Sequence, residues 1–128
     1  MMLEVGLAAS VDCVVTDDDT AIAFGSGDVP VLATPRVLAL VEQATFHAVA
    51  AALTDDLTTV GVRAELDHRL PSAVGATVHV EAVLEAIDGR RLTFAVRVTD
   101  AGRAVADGTI TRVIVTRERF LRVLGSAS

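Results

Sequence analysis

The feature that most constrains the fold is a series of segments in which apolar and polar residues alternate. Four such segments follow a single long helical stretch, at residues 58–70, 76–87, 91–99 and 103–115. Alternation with a period of two is typical of β-strands that have one buried face. Asp88-Gly89 is a strong hairpin signal, and residues 100–102 form another turn. The sequence therefore predicts an antiparallel meander of four strands.

One long helix is predicted before the meander, over residues 34–53. Thr34 is expected to be its N-cap and Pro35 its first helical residue, because hydroxyl side chains and proline favour those two positions. The apolar stripe of the helix consists of Val37, Leu40, Val41, Ala44 and Ala48. A helix with one such stripe can cover one face of a sheet. We therefore expect an α+β fold in which one long helix is wrapped by an antiparallel β-sheet.

The remaining segments are shorter. Residues 3–15 predict a strand, residues 17–19 a solvated turn of three aspartates, and residues 21–32 a short strand followed by a loop. Residues 116–124 predict a short terminal helix. A small sheet with open edges often extends across a subunit boundary, so a homodimer is expected, with a tetramer as a further possibility.

Length and composition narrow the class of protein. At 128 residues the chain is predicted to form one domain, residues 1–128. A net charge of −6 and an aromatic content of 3% argue against nucleic-acid binding. No apolar run approaches the roughly 18 residues of a transmembrane helix. Cys13 is the only cysteine, so no intrachain disulfide can form and a cytoplasmic location is expected. No metal site is predicted.

Glu42 is the residue of the long helix that packing does not explain. It lies one turn from Leu38 on one side and one turn from Phe46 on the other. The polar face of the helix lies elsewhere, at Arg36, Gln43 and His47. A lone carboxylate that faces a protein core destabilises the fold by several kcal/mol. We therefore expect Glu42 to have a chemical role rather than a role in stability.

His68 falls on the apolar side of the first alternating segment. The predicted inward set of that segment is Val60, Val62, Ala64, Leu66, His68 and Leu70. An inward histidine near a strand end is either a hydrogen-bonded core residue or a functional one. His47 and His79 are expected to face solvent, because each lies on the polar side of its element.

Thr34 adds a hydroxyl group at the N-terminus of the helix. The unpaired N–H groups and the positive end of the helix dipole can stabilise an oxyanion or a carbonyl oxygen there. A plain N-cap is the simpler role for Thr34 alone. Considered together, Thr34, Glu42 and His68 suit the hydrolysis of an activated carbonyl compound.

Several motifs in residues 28–120 resemble the fluoroacetyl-CoA thioesterase-like family of hotdog proteins. They include the spacings of the Thr, Glu and His residues discussed above. The matching segments are Val31-Leu32-Ala33-Thr34-Pro35, Leu40-Val41-Glu42, Thr59-Val60-Gly61, Asp67-His68, Pro71-Ser72-Ala73-Val74-Gly75, Asp88-Gly89-Arg90-Arg91-Leu92 with Phe94, and Gly108-Thr109 with Arg112.

The resemblance implies a hotdog fold, a homodimer and an acyl-CoA thioesterase that releases a small or medium acid and CoA. It implies that Thr34, Glu42 and His68 are the catalytic residues, with coenzyme A present only as part of the substrate. Substrate-binding roles are expected for Gly61, Arg112 and Phe24. Phe24 is the only Phe of the segment before the helix, whereas the founding enzyme has more there, so a substrate other than fluoroacetyl-CoA is favoured.

Two alternatives remain open at this stage. Phe24-Gly25-Ser26-Gly27-Asp28 resembles a loop of hotdog enoyl-CoA hydratases, but those enzymes need a His where this chain has Ala33. A non-catalytic module that binds or senses acyl-CoA is the other alternative. Release of free CoA separates a thioesterase from both.

Overall fold

The computed structural model describes residues 2–126. The strands are β1 (Ala8–Val14), β2 (Leu57–His68), β3 (Thr77–Asp88), β4 (Arg91–Asp100) and β5 (Arg103–Thr116). The helices are α1 (Ala21–Phe24), α2 (Thr34–Ala50) and α3 (Arg117–Ser126), and a single 3-10 turn spans Asp17–Asp19. The predicted α+β class, with one long helix and an antiparallel sheet, is confirmed.

The five strands form one antiparallel sheet in the order β1-β3-β4-β5-β2. Two-residue turns join β3, β4 and β5 into a meander, as predicted. The predicted place of β2 beside β3 was wrong, because residues 69–76 form a loop that is too long for a tight hairpin and β2 pairs with β5. The two edge strands are therefore β1 and β2.

α2 covers one face of the sheet through its apolar stripe. Every predicted member of the stripe is buried, namely Val37, Leu40, Val41, Ala44 and Ala48. These residues belong to the same hydrophobic core as Leu84 of β3 and Phe94 of β4, and both of those side chains are 0% exposed. Burial of one such side chain stabilises the fold by about 1.5–3 kcal/mol, so this contact fixes α2 against the sheet.

A β-bulge interrupts the alternation of β2. Gly61 pairs with Arg112 and Arg63 pairs with Thr111, so Val62 has no partner on β5. One extra residue reverses the face of the sheet to which the following side chains point. The sequence pattern alone does not reveal this reversal.

The bulge gives β2 two separate segments that face α2. Before it Thr59 is buried, and after it Leu66 contacts the core and His68 follows on the same side. The predicted inward positions of Val60 and Val62 were wrong: Val60 lies near α3, and Val62 is 49% exposed.

The segment before α2 also differs from the prediction. The expected strand at the start of residues 21–32 is the short helix α1, because the Thr20 hydroxyl accepts a hydrogen bond from the Ala23 N–H at 3.2 Å and caps it. Gly25 ends α1 in the left-handed conformation, with a φ of 69°. The predicted terminal helix is confirmed as α3. Among residues 2–126, no helix is both long and apolar enough to span a membrane.

Candidate active site

The first group of the site is a hydrogen bond between Thr34 and His68. Thr34 Oγ1 lies 2.8 Å from His68 Nδ1, although the two residues are 34 positions apart in the chain. The first turn of α2 supplies the hydroxyl, and the last residue of β2 supplies the ring. Depending on the ring tautomer, the hydroxyl donates to Nδ1 or accepts from it.

Thr34 is not the N-cap that the sequence predicted. Ala33 takes that position in an extended conformation, and its N–H donates to the Asp19 carbonyl at 2.9 Å. Thr34 is then the first helical residue, and its hydroxyl makes no capping bond. Because the hydroxyl is not used for capping, it can contact the His68 ring.

Burial sets the protonation of His68. Loss of solvent around the ring lowers the pKa of His68 below its usual value of 6.5. Its Nε2 atom is buried, and a contact with the Leu70 backbone opposes part of the downward shift. The ring is therefore neutral at pH 7, and a neutral imidazole can take up a proton during a reaction.

The Thr34–His68 pair lines a cleft of about 310 Å³ at the N-terminal end of α2. Other lining residues include Ala21, Leu32, Leu70 and Pro71. Phe24, predicted to bind substrate, does not line it; the side chain is 45% exposed on α1, one turn beyond Ala21. The cleft thus combines a hydroxyl, a neutral ring and a helix N-terminus with a mixed lining, which also includes Ser26 and Arg69.

A buried carboxylate fixes the start of α2. Asp19 is only 8% exposed, which corrects the prediction that all three aspartates of residues 17–19 are solvated. Its side chain accepts hydrogen bonds from the Thr16 N–H at 2.8 Å and from Arg36 Nε at 2.8 Å. The Thr16 backbone bond is the largest of the contacts that lower the pKa of Asp19, and the carboxylate stays charged. The spacing of Thr16 and Asp19 is a capping-box signal that sequence reasoning missed.

The second group of the site is an ion pair between Glu42 and Arg112. Glu42 Oε2 lies 3.6 Å from Arg112 Nη1, and the Glu42 side chain is 41% exposed. Glu42, predicted to face the core, is therefore paired with Arg112 and partly exposed to solvent. The carboxylate extends toward edge strand β2 at Gly61, where a Cβ atom would lie only 2.6 Å from Oε2. The absence of a side chain at Gly61 leaves room for this carboxylate.

Arg112 of β5 is buried, with 6% of its surface exposed. Its Nε donates to Thr59 Oγ1 at 2.8 Å, and its Nη2 donates to the Thr59 carbonyl at 2.9 Å. The Phe46 ring lies on another side, 5.9 Å from the guanidinium carbon. Burial lowers the pKa of Arg112 and Glu42 opposes that shift, but arginine remains charged at any working pH. Sequence reasoning missed Thr59, because the bulge hides its inward position.

The two groups do not meet within one chain. Thr34 and Glu42 are eight residues apart on α2, and a helix rises about 1.5 Å per residue, or about 12 Å over that span. Glu42 does not line the cleft that contains His68. The expected convergence of Thr34, Glu42 and His68 is therefore found for two of the three residues.

The two other histidines are exposed, as predicted. His47 makes an edge contact with Phe46, and His79 bonds to Asp12 on the neighbouring strand at 2.6 Å. Neither contacts the cleft.

Comparison with known proteins identifies the family of this chain. Residues 15–118 match the family described as fluoroacetyl-CoA-specific thioesterase. The chain belongs to this family. The fluoroacetyl-CoA thioesterase of Streptantibioticus cattleyicolor is 31% identical over 90 residues, which cover 70% of this chain and 65% of that relative. The match thus spans just under two thirds of the relative's length.

Solved structures confirm the fold. A structure of the fluoroacetyl-CoA thioesterase FlK is 26% identical, with a TM-score of 0.91 and coverage of 98% of both chains. A hot-dog-like protein from Thermanaerovibrio acidaminovorans has a TM-score of 0.90 at 21% identity, covering 98% of this chain and 93% of its own. The predicted hotdog fold and thioesterase family are confirmed, and the Streptantibioticus relative and FlK are both thioesterases, which is the predicted class of enzyme.

Proposed function

We propose that this protein hydrolyses the thioester bond of a small or medium acyl-CoA, giving the free acid and CoA. The observation that supports this most directly is the 2.8 Å contact between Thr34 Oγ1 and His68 Nδ1 in a cleft at a helix N-terminus. A cleft of about 310 Å³ lies at the lower end of the usual range for small-molecule sites, roughly 300–1,000 Å³, and favours a short acyl group.

In the proposed reaction the thioester carbonyl lies against the first turn of α2. The free N–H groups of that turn and the Thr34 hydroxyl would stabilise the negative charge that develops on the carbonyl oxygen. Glu42 would attack the carbonyl carbon and form an anhydride that water then hydrolyses, or it would activate a water that attacks directly. By either route the carbon–sulfur bond breaks with the thiolate as leaving group, neutral His68 takes up the proton that the water releases, and the ring passes this proton to the thiolate. Free acid and CoA–SH are the products by either route.

The proposal requires two copies of the chain, because Glu42 is remote from His68 in one copy. β2 is an edge strand, and its residues 61–65 are exposed. Two β2 edges can pair antiparallel about a twofold axis. If the axis passes midway between Gly61 and His68 along β2, Gly61 of one protomer lies opposite the partner subunit's His68. Glu42, which contacts Gly61, would then lie near that ring. We therefore propose a homodimer with two sites, each assembled from both protomers.

Further parts of the proposal concern substrate contacts and location. Gly61 and Arg112 would border the acyl group beside Glu42. Phe24 would contact the substrate from the rim, because α1 also supplies Ala21 to the cleft wall.

A cytoplasmic location is proposed as well. The single Cys13 supports it, since a chain without intrachain disulfides suits a reducing compartment.

A panel of acyl-CoA substrates with a thiol-detecting reagent tests this function. We expect release of free CoA, fastest with short acyl chains. Loss of enoyl absorbance without CoA release would indicate a hydratase instead. Binding without turnover, measured by a ligand-induced rise in melting temperature, would indicate a sensing module.

A further inference from the structure

Glu42 lies at the end of a series of contacts that begins at Thr59. The hydroxyl and the carbonyl of Thr59 each accept a hydrogen bond from Arg112, at 2.8 and 2.9 Å. A different nitrogen of the same guanidinium, Nη1, lies 3.6 Å from the Glu42 carboxylate. Thr59 and Glu42 are thus connected through one rigid, planar group.

Arg112 has little freedom to adopt another orientation. Its side chain is 8% exposed and Thr59 is 5% exposed, so solvent is largely excluded from the Thr59 side of the guanidinium. A buried guanidinium without partners would be strongly destabilising. Thr59 occupies two of its N–H groups and the Phe46 ring lies against it, which leaves Nη1 directed at Glu42.

Thr59 and Gly61 occupy consecutive inward positions of β2, immediately before the bulge at Val62. Gly61 provides the space for the Glu42 carboxylate, since a Cβ there would lie 2.6 Å from Oε2. Thr59 provides the anchor for the cation that neutralises the same carboxylate. This short stretch of β2 therefore determines where the Glu42 carboxylate lies.

We propose that Thr59 is a positioning residue, which holds Arg112 so that Nη1 stays against Glu42. The inference rests on the proposed function, because the position of the Glu42 carboxylate matters for activity only if Glu42 takes part in thioester hydrolysis. Loss of the Thr59 hydroxyl would release Nε, and the guanidinium would no longer be fixed in one orientation. A misplaced carboxylate slows the chemical step more than it weakens substrate binding.

The test compares Thr59→Val with Thr59→Ser and with the matched control Thr58→Val on the opposite face of β2. We expect Thr59→Val to lower kcat on the order of 10-fold, with KM changed by less than about twofold. Thr59→Ser restores the hydroxyl and should recover most of kcat. Thr58→Val should leave kcat unchanged.

Equal losses of kcat in Thr59→Val and Thr59→Ser, or an unchanged kcat in Thr59→Val, would overturn the inference. Thr59→Ala replaces Thr59→Val if the latter does not fold.

A second measurement separates positioning from plain support of the fold. In a Glu42→Gln background, Thr59→Val should cause no further loss of kcat, because its effect passes through Glu42; an additive loss would contradict the inference.

A third measurement does not depend on activity. The Arg112 Nε–H signal in nitrogen-15 NMR should be protected from exchange in the wild type and lose that protection in Thr59→Val. If the wild type released no CoA from any substrate, the proposed function would fail, while this signal would still show whether Thr59 orders Arg112. An unprotected signal in the wild type would overturn the anchoring itself.

Discussion

The Thr34–His68 pair and the Glu42–Arg112 pair lie at two points along the same helix, and different forces stabilise them. The first pair lies in a cleft, and burial keeps the His68 ring neutral. The second pair is ionic and lies beside the open edge of the sheet, where the Glu42 side chain remains 41% exposed and a buried arginine balances its charge. Partial loss of solvent is enough to favour a neutral ring, whereas a carboxylate that must stay charged needs a cationic partner.

The distance between the two pairs shows that one chain does not bring all four side chains to one place. Each pair is complete in its own contacts, yet about 12 Å of helix separates Thr34 from Glu42. A chain that folds alone can therefore be stable without being active. Under the proposed function, activity depends on a second copy that brings the two pairs together.

The largest expected effects come from removing one member of each pair. Glu42→Gln and His68→Ala should each lower kcat on the order of 100-fold or more, because each removes a group that handles protons or the attack itself. Steady-state kinetics on the best substrate of the panel measures this. Full activity in both variants would contradict the catalytic assignment.

Mixing the two inactive variants tests whether the pairs act across a subunit boundary. In a mixed dimer, one site would combine the intact His68 of one protomer with the intact Glu42 of the other. Random pairing at equal concentration should therefore restore roughly a quarter of wild-type activity. A mixture as inactive as its components, with subunit exchange verified by native mass spectrometry, would mean that the pairs do not act together across the interface.

Gly61→Ala tests the charged pair alone, and a loss of kcat on the order of 10-fold is expected. The new methyl group would lie 2.6 Å from Glu42 Oε2, so the carboxylate must move away. The melting temperature should change little, because the displaced atoms are the end of a flexible side chain. Unchanged kcat with an unchanged melting temperature would show that the position of the carboxylate is not critical.

The sequence predicts the parts of this site that depend on local pattern. The apolar stripe of α2, the strand pattern of β3–β5 and the inward position of His68 follow from periodicity, and all are found in the structure. The sequence does not predict the bulge at Val62, because one extra residue does not change the kinds of residue that the strand contains. For this reason Thr59 was missed. Tertiary contacts through Asp19 likewise decide that Ala33, not Thr34, is the N-cap.

The pH dependence of the neutral pair gives a smaller effect with a defined sign. Because the pKa of His68 is lowered in the folded chain, the unfolded chain binds a proton on this ring at a higher pH than the folded chain does. The contribution of His68 to stability, and with it kcat/KM, should therefore fall as pH decreases below 6.5, and the His68 contribution should be constant above it. Thermal unfolding of the wild type and of His68→Gln, followed across this range, checks the prediction. A decline that begins well above pH 6.5 would mean that the folded protein favours the charged ring.

His79, outside both pairs, should give the smallest effect and the opposite sign. Its hydrogen bond to Asp12 is the main cause that raises the pKa of His79 above 6.5, and Glu81 contributes as well. The added stability is fully present below pH 6.5 and is lost as pH rises through the higher folded pKa. His79→Gln should therefore lower the melting temperature slightly at about pH 5.5 and leave it unchanged at about pH 9. The shift should be small, because the contact is exposed and screened by solvent. Because His79 lies on β3 and contacts Asp12 of β1 rather than the cleft, kcat should not change at either pH. A loss of kcat in His79→Gln would show that the two pairs do not account for all of the catalytic chemistry.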